Sequence, residues 1–180
     1  MLERDIEKVL VSAEEIKEIE IRLGKVLTAD YKDKFPLVIG LLKGCVPFMG
    51  ELITKMDIQM QVGFMDVSSY HGGIASSGDV KIEKDLGIAV GGRHIIIAED
   101  IVDTGKTISV IMDLLMYRGA ASVEVVTLLD KPAGRVVDLH PKYIGTTIPK
   151  EFVVGYGLDY EEKYRNLPYV GVLKPEIYIK

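Results

Sequence analysis

Between residues 95 and 107 the chain reads IIIAEDIVDTGKT, and the polar half of that stretch holds the residue types that a phosphate site needs. Thr104 and Thr107 offer hydroxyl donors, with Lys106 between them, and Gly105 lets the backbone approach an oxygen closely. Downstream, Ile108, Ile111, Met112 and Leu115 recur at helical spacing from Ile108, with Gly119 as the stop. A turn that opens a helix is an anion site, because the first N–H groups lack partners and carry the positive end of the helix dipole. Upstream, Ile95 to Ala98 predict a strand buried on both faces, which is expected to end at Glu99 and Asp100. Carboxylates beside a phosphate cradle repel the ligand unless a divalent cation, or ligand hydroxyl groups, stand between. The combination points to a phosphate joined to a polyol, with magnesium nearby.

Other phosphate motifs fail on these residues. A Walker A loop requires glycine where Asp100 stands. The pair Gly155 and Gly157 lacks a third dinucleotide-type glycine, since Tyr160 occupies that position. An aspartyl-phosphate enzyme would use Asp103 as nucleophile, and DTGKT resembles such a loop only loosely. A helix cap with solvated charges is the remaining reading of the turn alone, and Glu99 and Asp100 weigh against it.

Taken whole, the stretch closely resembles the phosphoribosyl-diphosphate binding motif of the type I phosphoribosyltransferases. Asp103 within EDIVDTGKT is similar to the hypoxanthine-guanine branch. The resemblance implies that Asp103 takes a proton from the purine and that Asp103, Thr104, Gly105, Lys106 and Thr107 cradle the 5′-phosphate. Glu99 and Asp100 would hold the ribose hydroxyls, directly or through Mg2+. It also implies a diphosphate site at Lys43, Gly44 and Arg165, often through a cis peptide at the lysine. Lys131 aligns with the lysine that donates to the exocyclic oxygen of the base, and Phe152 with the aromatic that stacks on it. Val153 would offer backbone groups to the base edge, and Asp159 would help to hold the water ligands of magnesium. Ser69 and Tyr70 match the signature of a loop that closes over the substrates. Gly134 precedes Arg135 where relatives commonly show another basic residue, a departure that touches no assigned position. Two other classes stay open: a non-catalytic regulator that binds phosphoribosyl diphosphate, and a phosphatase with Asp103 as nucleophile.

The elements that must position these residues are legible to different degrees. Ser12 and Glu15 form a capping box, and Ile16, Ile19, Leu23, Val26 and Leu27 predict an amphipathic helix over 13–29. LVIGLL, 37–42, predicts a buried strand running into Lys43 and Gly44, with Pro47 in the first turn of the next helix. Without the resemblance, Lys43-Gly44 reads as a turn with a solvated lysine. A longer strand is expected over 58–70, then a Gly- and Ser-rich lid or surface loop over 71–85. SVEVVTLL, 122–129, predicts another parallel strand, so Lys43, Glu99 and Lys131 should converge on one crevice. The β-rich tail, with turns at Pro149 and Pro168, predicts a small hood lobe from about 145–180. Cys45 is expected to be a buried packing residue.

The expected fold is α/β, a mainly parallel sheet flanked by helices, in a single domain over 1–180. At 180 residues and 19.9 kDa one core suffices, and 48% hydrophobic with 27% charged residues is an ordinary globular balance. A net charge of −5 argues against a general nucleic-acid or acidic-membrane surface. The start, MLERDIEKVL, places charges where a secretory signal has its apolar run, so a cytoplasmic location is expected. His71, His94 and His140 show no zinc spacing. A homo-oligomer, dimer or tetramer, is the expected assembly.

Overall fold

Alternation of apolar side chains along three parallel strands builds both halves of the core. The computed structural model describes residues 2–69 and 80–179. Its elements in chain order are β1 (Ile6–Val11), α1 (Ala13–Tyr31), β2 (Leu37–Leu42), α2 (Val46–Ile53), β3 (Gln61–Ser69), β4 (Val80–Lys84) and β5 (His94–Val102). Then follow α3 (Lys106–Tyr117), β6 (Ser122–Asp130), β7 (Tyr143–Thr147), β8 (Val153–Val154), β9 (Val170–Leu173) and α4 (Pro175–Tyr178). The larger sheet has the order β4-β3-β2-β5-β6-β7 and is parallel except for β4, so the α/β expectation holds.

Successive side chains of β2, β5 and β6 point to opposite faces. Val38, Ile96, Ala98, Val126 and Leu128 meet Ile16, Leu23 and Leu27 of α1 and Phe48 and Leu52 of α2. On the other face Leu37, Ile39, Ile95, Ile97, Val123 and Val125 meet Ile108, Ile111 and Leu115 of α3. Helix α1 starts where its capping box sits: the Glu15 amide donates to Ser12 Oγ at 3.2 Å, and the Ser12 amide to Glu15 Oε2 at 2.8 Å. It runs two residues past the expected end because Tyr31 is itself core, at 3% exposure.

The central pair of strands decides where a ligand can enter. β2 connects through α2 to β3 on one side, whereas β5 connects through α3 to β6 on the other, so the topological switch point lies between β2 and β5. Their pairing ends at Gly40 with Ala98. Beyond it β2 stays with β3 to Leu42, and β5 stays with β6 to Val102. The two strands part, and a crevice opens beside Glu99 and Asp100.

Several expectations need correction here. Glu99 and Asp100 lie inside β5 instead of after it, because β6 continues to pair with β5 on one side after β2 has left the other. Helix α3 begins at Lys106, not Ile108, and β3 at Gln61, not residue 58. Part of the expected 71–85 loop is strand β4, paired antiparallel with β3; residues 70–79, including Tyr70, lie outside the described residues. The tail first adds β7 to the large sheet. A second sheet, β1-β9-β8, draws its first strand from the N-terminus, which the sequence reading left without an element.

That small sheet is fastened to the body by buried groups. Val11, Val153, Val170 and Val172 share the core of α1. The Tyr156 hydroxyl donates to Glu20 Oε1 on α1 at 2.6 Å, and the Tyr164 hydroxyl to Asp5 Oδ2 at 2.8 Å. No helix among the described residues is long and apolar enough to cross a membrane.

Glu20 generates a test. It is 2% exposed, and burial raises its carboxyl above the ordinary range, opposed by the Tyr156 hydroxyl. The folded chain binds that proton more tightly than the unfolded chain, so this contribution is present in acid and lost as pH rises through the folded value. Glu20→Gln keeps an acceptor for Tyr156 without the charge. In urea denaturation its stability relative to the unsubstituted chain should rise as the pH is raised above the ordinary glutamate value of about 4.3. Parallel curves would show that burying this charge carries no penalty.

Candidate active site

The crevice is a cavity of about 250 Å³ whose wall includes Leu41, Gly44, Glu99, Asp100, Asp103, Thr104, Gly105 and Thr107. The turn takes its shape from Gly105, which caps α3 with a left-handed φ of 79°. Ser109 N–H returns to the Gly105 carbonyl at 2.9 Å, and the preceding amides of the first turn point outward as in any helix start. Thr104 Oγ accepts from the Lys106 amide at 3.4 Å. The cradle expected over 103–107 therefore forms one wall of the cavity, although the side chain of Lys106 is not part of it.

The opposite floor is acidic. Glu99 is 7% exposed, and its Oε1 has no partner. Burial pushes its carboxyl well above the ordinary carboxylate range, and the neighbouring Asp100 adds to the effect. Burial also raises Asp100, to about 6, against the Ile101 amide that donates to it at 2.8 Å. Room for Asp100 comes from Gly44, where a Cβ would fall 1.9 Å from Asp100 Oδ2. An orphaned carboxylate oxygen next to a second carboxylate fits a hard cation such as magnesium, which prefers oxygen ligands. Among the described residues no three His, Cys, Asp or Glu side chains gather as a metal cluster, so such an ion would complete its shell from ligand and water.

A second corner joins Asp103 to Lys131. Strand β6 ends at Asp130, and the Lys131 amide donates to the Val102 carbonyl at 3.0 Å, which turns the side chain back toward Asp103. Lys131 Nζ lies 2.5 Å from Asp103 Oδ2, with the lysine side chain 13% and the aspartate 40% exposed. A solvated surface lysine does not match that burial.

The third corner holds the cations expected for diphosphate. The Leu42–Lys43 peptide is cis. Lys43 Nζ pairs with Glu162 Oε2 at 3.0 Å, and Arg165 Nη2 lies 3.2 Å from Glu162 Oε1 and 2.9 Å from Asp159 Oδ1. Asp159 also accepts from the Glu162 amide at 2.8 Å. Arg165 donates to the Gly157 carbonyl at 2.8 Å, while its buried Nε has no partner. Arg165 and Asp159 act electrostatically on Asp100 in opposite senses, which brings this corner to the acidic floor.

Phe152 and Val153 lie apart from the cavity wall, at the start of edge strand β8. Phe152 is 38% exposed; it stacks on Tyr178 at 4.6 Å and meets Tyr160 edge-on at 5.7 Å. Ser69 ends β3, in register with Val80. Sequence reasoning missed Ile101 in the cavity wall, Tyr178 against Phe152, Glu162 between two cations, and Arg135, whose guanidinium grips the turn from behind. Ile101 was hidden by the expectation that the strand had ended. Cys45 is buried as expected; burial, and then the charges of Glu99 and Asp100, push its thiol up to about 12.

Comparison with known proteins agrees with this geometry. A phosphoribosyl transferase domain matches residues 10–161. The hypoxanthine-guanine phosphoribosyltransferase of Lactococcus lactis is 60% identical over 99% of this chain and 97% of its own. That of Bacillus subtilis is 55% identical over 99% of both chains. A bifunctional TilS/HprT protein of Listeria innocua is 56% identical over 98% of this chain, which spans only 27% of that protein. The crystal structure of a Staphylococcus aureus hypoxanthine phosphoribosyltransferase superposes with a TM-score of 0.96, at 50% identity, covering 99% of this chain and 97% of that one. The domain match over most of the chain, with relatives more than half identical along nearly its full length, shows the family: the chain belongs to the phosphoribosyltransferase family, beside its hypoxanthine-guanine members.

Proposed function

We propose that the chain transfers the 5-phosphoribosyl group of phosphoribosyl diphosphate to hypoxanthine, and to guanine, releasing diphosphate. The observation that carries this reading is the pairing, within one cavity, of an N-terminal helix turn with a buried carboxylate whose oxygen has no partner. The turn suits a phosphate and the carboxylate suits a cation or a hydroxyl, so the two together suit a phosphorylated sugar. The relatives named above are hypoxanthine-guanine phosphoribosyltransferases, which points to the second substrate.

Each residue has a task in this reading. The 5′-phosphate lies on Thr104, Gly105, Lys106 and Thr107. Glu99 and Asp100 orient the ribose hydroxyls and, with Asp159 through water, would hold magnesium. An ion held there would supply positive charge for the departing diphosphate. Lys43, Gly44 and Arg165 receive that diphosphate. The bond from C1′ to the diphosphate oxygen breaks, a bond from C1′ to a purine ring nitrogen forms, and the proton on the purine's imidazole ring passes to Asp103. Lys131, now paired with Asp103, donates to the 6-oxo group of the base. Phe152 offers a stacking face and Val153 the open backbone edge of β8. A cytoplasmic location and closure of the loop at Ser69 and Tyr70 complete the proposal.

The direct test is to incubate the protein with phosphoribosyl diphosphate, magnesium and each base in turn and to measure the nucleotide formed. Absence of nucleotide with every 6-oxopurine would refute the reading. Excess chelator should abolish turnover, and full activity without metal would remove magnesium from the scheme. Asp103→Asn should lower kcat by about 10² or more while phosphoribosyl diphosphate still binds; a near-normal kcat would reduce Asp103 to a structural role. Lys131→Ala should lose selectivity for hypoxanthine over adenine, whose amino group opposes a buried ammonium and which the intact site rejects by as much as about 10⁴-fold. Since Lys131 also pairs with Asp103, the ratio of kcat/KM values isolates recognition from rate, and an unchanged ratio assigns the lysine to the ion pair alone.

A further inference from the structure

The segment after β6 is tied to the phosphate turn mainly through backbone groups. The Lys131 amide donates to the Val102 carbonyl at 3.0 Å, and the Val136 amide to the Thr104 carbonyl at 3.1 Å. Between these two bonds Arg135 reaches back beneath the turn. Its Nε donates to the Asp103 carbonyl at 2.9 Å and its Nη2 to the Val102 carbonyl at 3.1 Å. The remaining donors go to the Leu139 carbonyl and to Asp130 Oδ1, at the end of β6. The side chains of Arg135 and Asp130 are 11% and 10% exposed, and neither belongs to the cavity wall.

This arrangement differs from a surface ion pair in what it constrains. A guanidinium is planar and its donors are held in a rigid fork, so acceptors on several of its nitrogens are fixed relative to one another. Here the acceptors are the carbonyls of the two peptide groups that flank Asp103, the Leu139 carbonyl, and one carboxylate that anchors the fork. With the Asp103 carbonyl and the preceding peptide held, the direction of the Asp103 Cα–Cβ bond is set. Its carboxylate then has little latitude: Lys131 lies at one oxygen, and on the other side a Cβ at Gly134 would come within 1.7 Å of Oδ1. A lysine could match the charge of Asp130 but not the fork.

We propose that Arg135 is a positioning residue, whose buried guanidinium, anchored on Asp130, holds the backbone of Asp103 and so aims its carboxylate at the purine proton. The inference rests on the role of Asp103 as general base proposed above. Misplacement of a catalytic group by about 1 Å can cost on the order of 10²-fold in rate, so the effect should appear in kcat.

The test is a double-mutant cycle on the full-length protein. Arg135→Lys, Asp103→Asn and the double variant are compared for kcat and for KM toward both substrates, with thermal unfolding as a check on folding. Arg135→Lys should lower kcat about tenfold or more and change either KM by less than about threefold. In the Asp103→Asn background the same substitution should change kcat by less than about twofold, since the group it aims is gone. Full persistence of the loss in that background would overturn the proposal, as would a normal kcat in a folded Arg135→Lys. A near-normal kcat in Asp103→Asn alone would instead remove the base reading, a distinct result. If Arg135→Lys does not fold, Asp130→Asn, which keeps the guanidinium and loosens only its anchor, enters the same cycle with the same two criteria.

Discussion

Two buried side-chain atoms among the described residues lack a partner: an acceptor, Glu99 Oε1, and a donor, Arg165 Nε. Buried polar groups are nearly always satisfied, so an unsatisfied pair of opposite character marks the place where the fold gives up stability for something else. The rest of the structure makes that concession possible. β5 is apolar and dry from Ile95 to Ala98, and it can carry charge only where β2 has left its side. Glu99 therefore sits at the first residue at which a ligand can reach it, and α3 starts close by on the same strand's exit. Burial first, and then the same acidity, raise the Cys45 thiol, which serves as a packing group.

The sequence spoke clearly where a local rule governed. β2, the capping box of α1, Pro47 in α2 and Gly119 after α3 each follow from a few adjacent residues. It spoke poorly where the partner lies far away. β1 is short and its sequence, IEKVLV, does not alternate, so it is recognisable only beside β9, whose register pairs Ile6 with Leu173 across nearly the whole chain. The run to Val102 in β5 was hidden for a related reason: a carboxylate pair reads as a strand end unless the ladder to Thr127, Leu129 and Asp130 is known. Among site residues, 99 to 107 were legible as chemistry, whereas Lys131 and Phe152 were legible only by resemblance. Arg135 escaped both routes, because three of its acceptors are main-chain carbonyls, which every residue has and no letter announces.

The small sheet is more than a cover. Its β1 and β9 come from the two ends of the described chain, and Tyr156 and Tyr164 moor the connecting segment to Glu20 and Asp5. That segment carries Asp159 and Arg165, so the corner facing Asp100 is placed by contacts made well away from it. At the close approach itself, a Cβ on Gly157 would fall 1.9 Å from the Gly44 carbonyl. Lobe and sheet edge thus meet backbone to backbone, leaving little slack between the two.

Glu162 gives that corner a further property. Its exposed carboxylate already bridges Lys43 and Arg165, so the corner is close to charge balance before any phosphate arrives. An incoming anion enters by exchange, as a replacement counter-ion that releases a tethered one. A singly charged anion gains little from the trade, since exposed ion pairs are worth at most about 1 kcal/mol and it merely substitutes for one. A polyanion can satisfy both cations at once. If this corner receives the diphosphate as proposed, the tethered carboxylate would act as a valence filter, favouring polyanions over small monovalent ions.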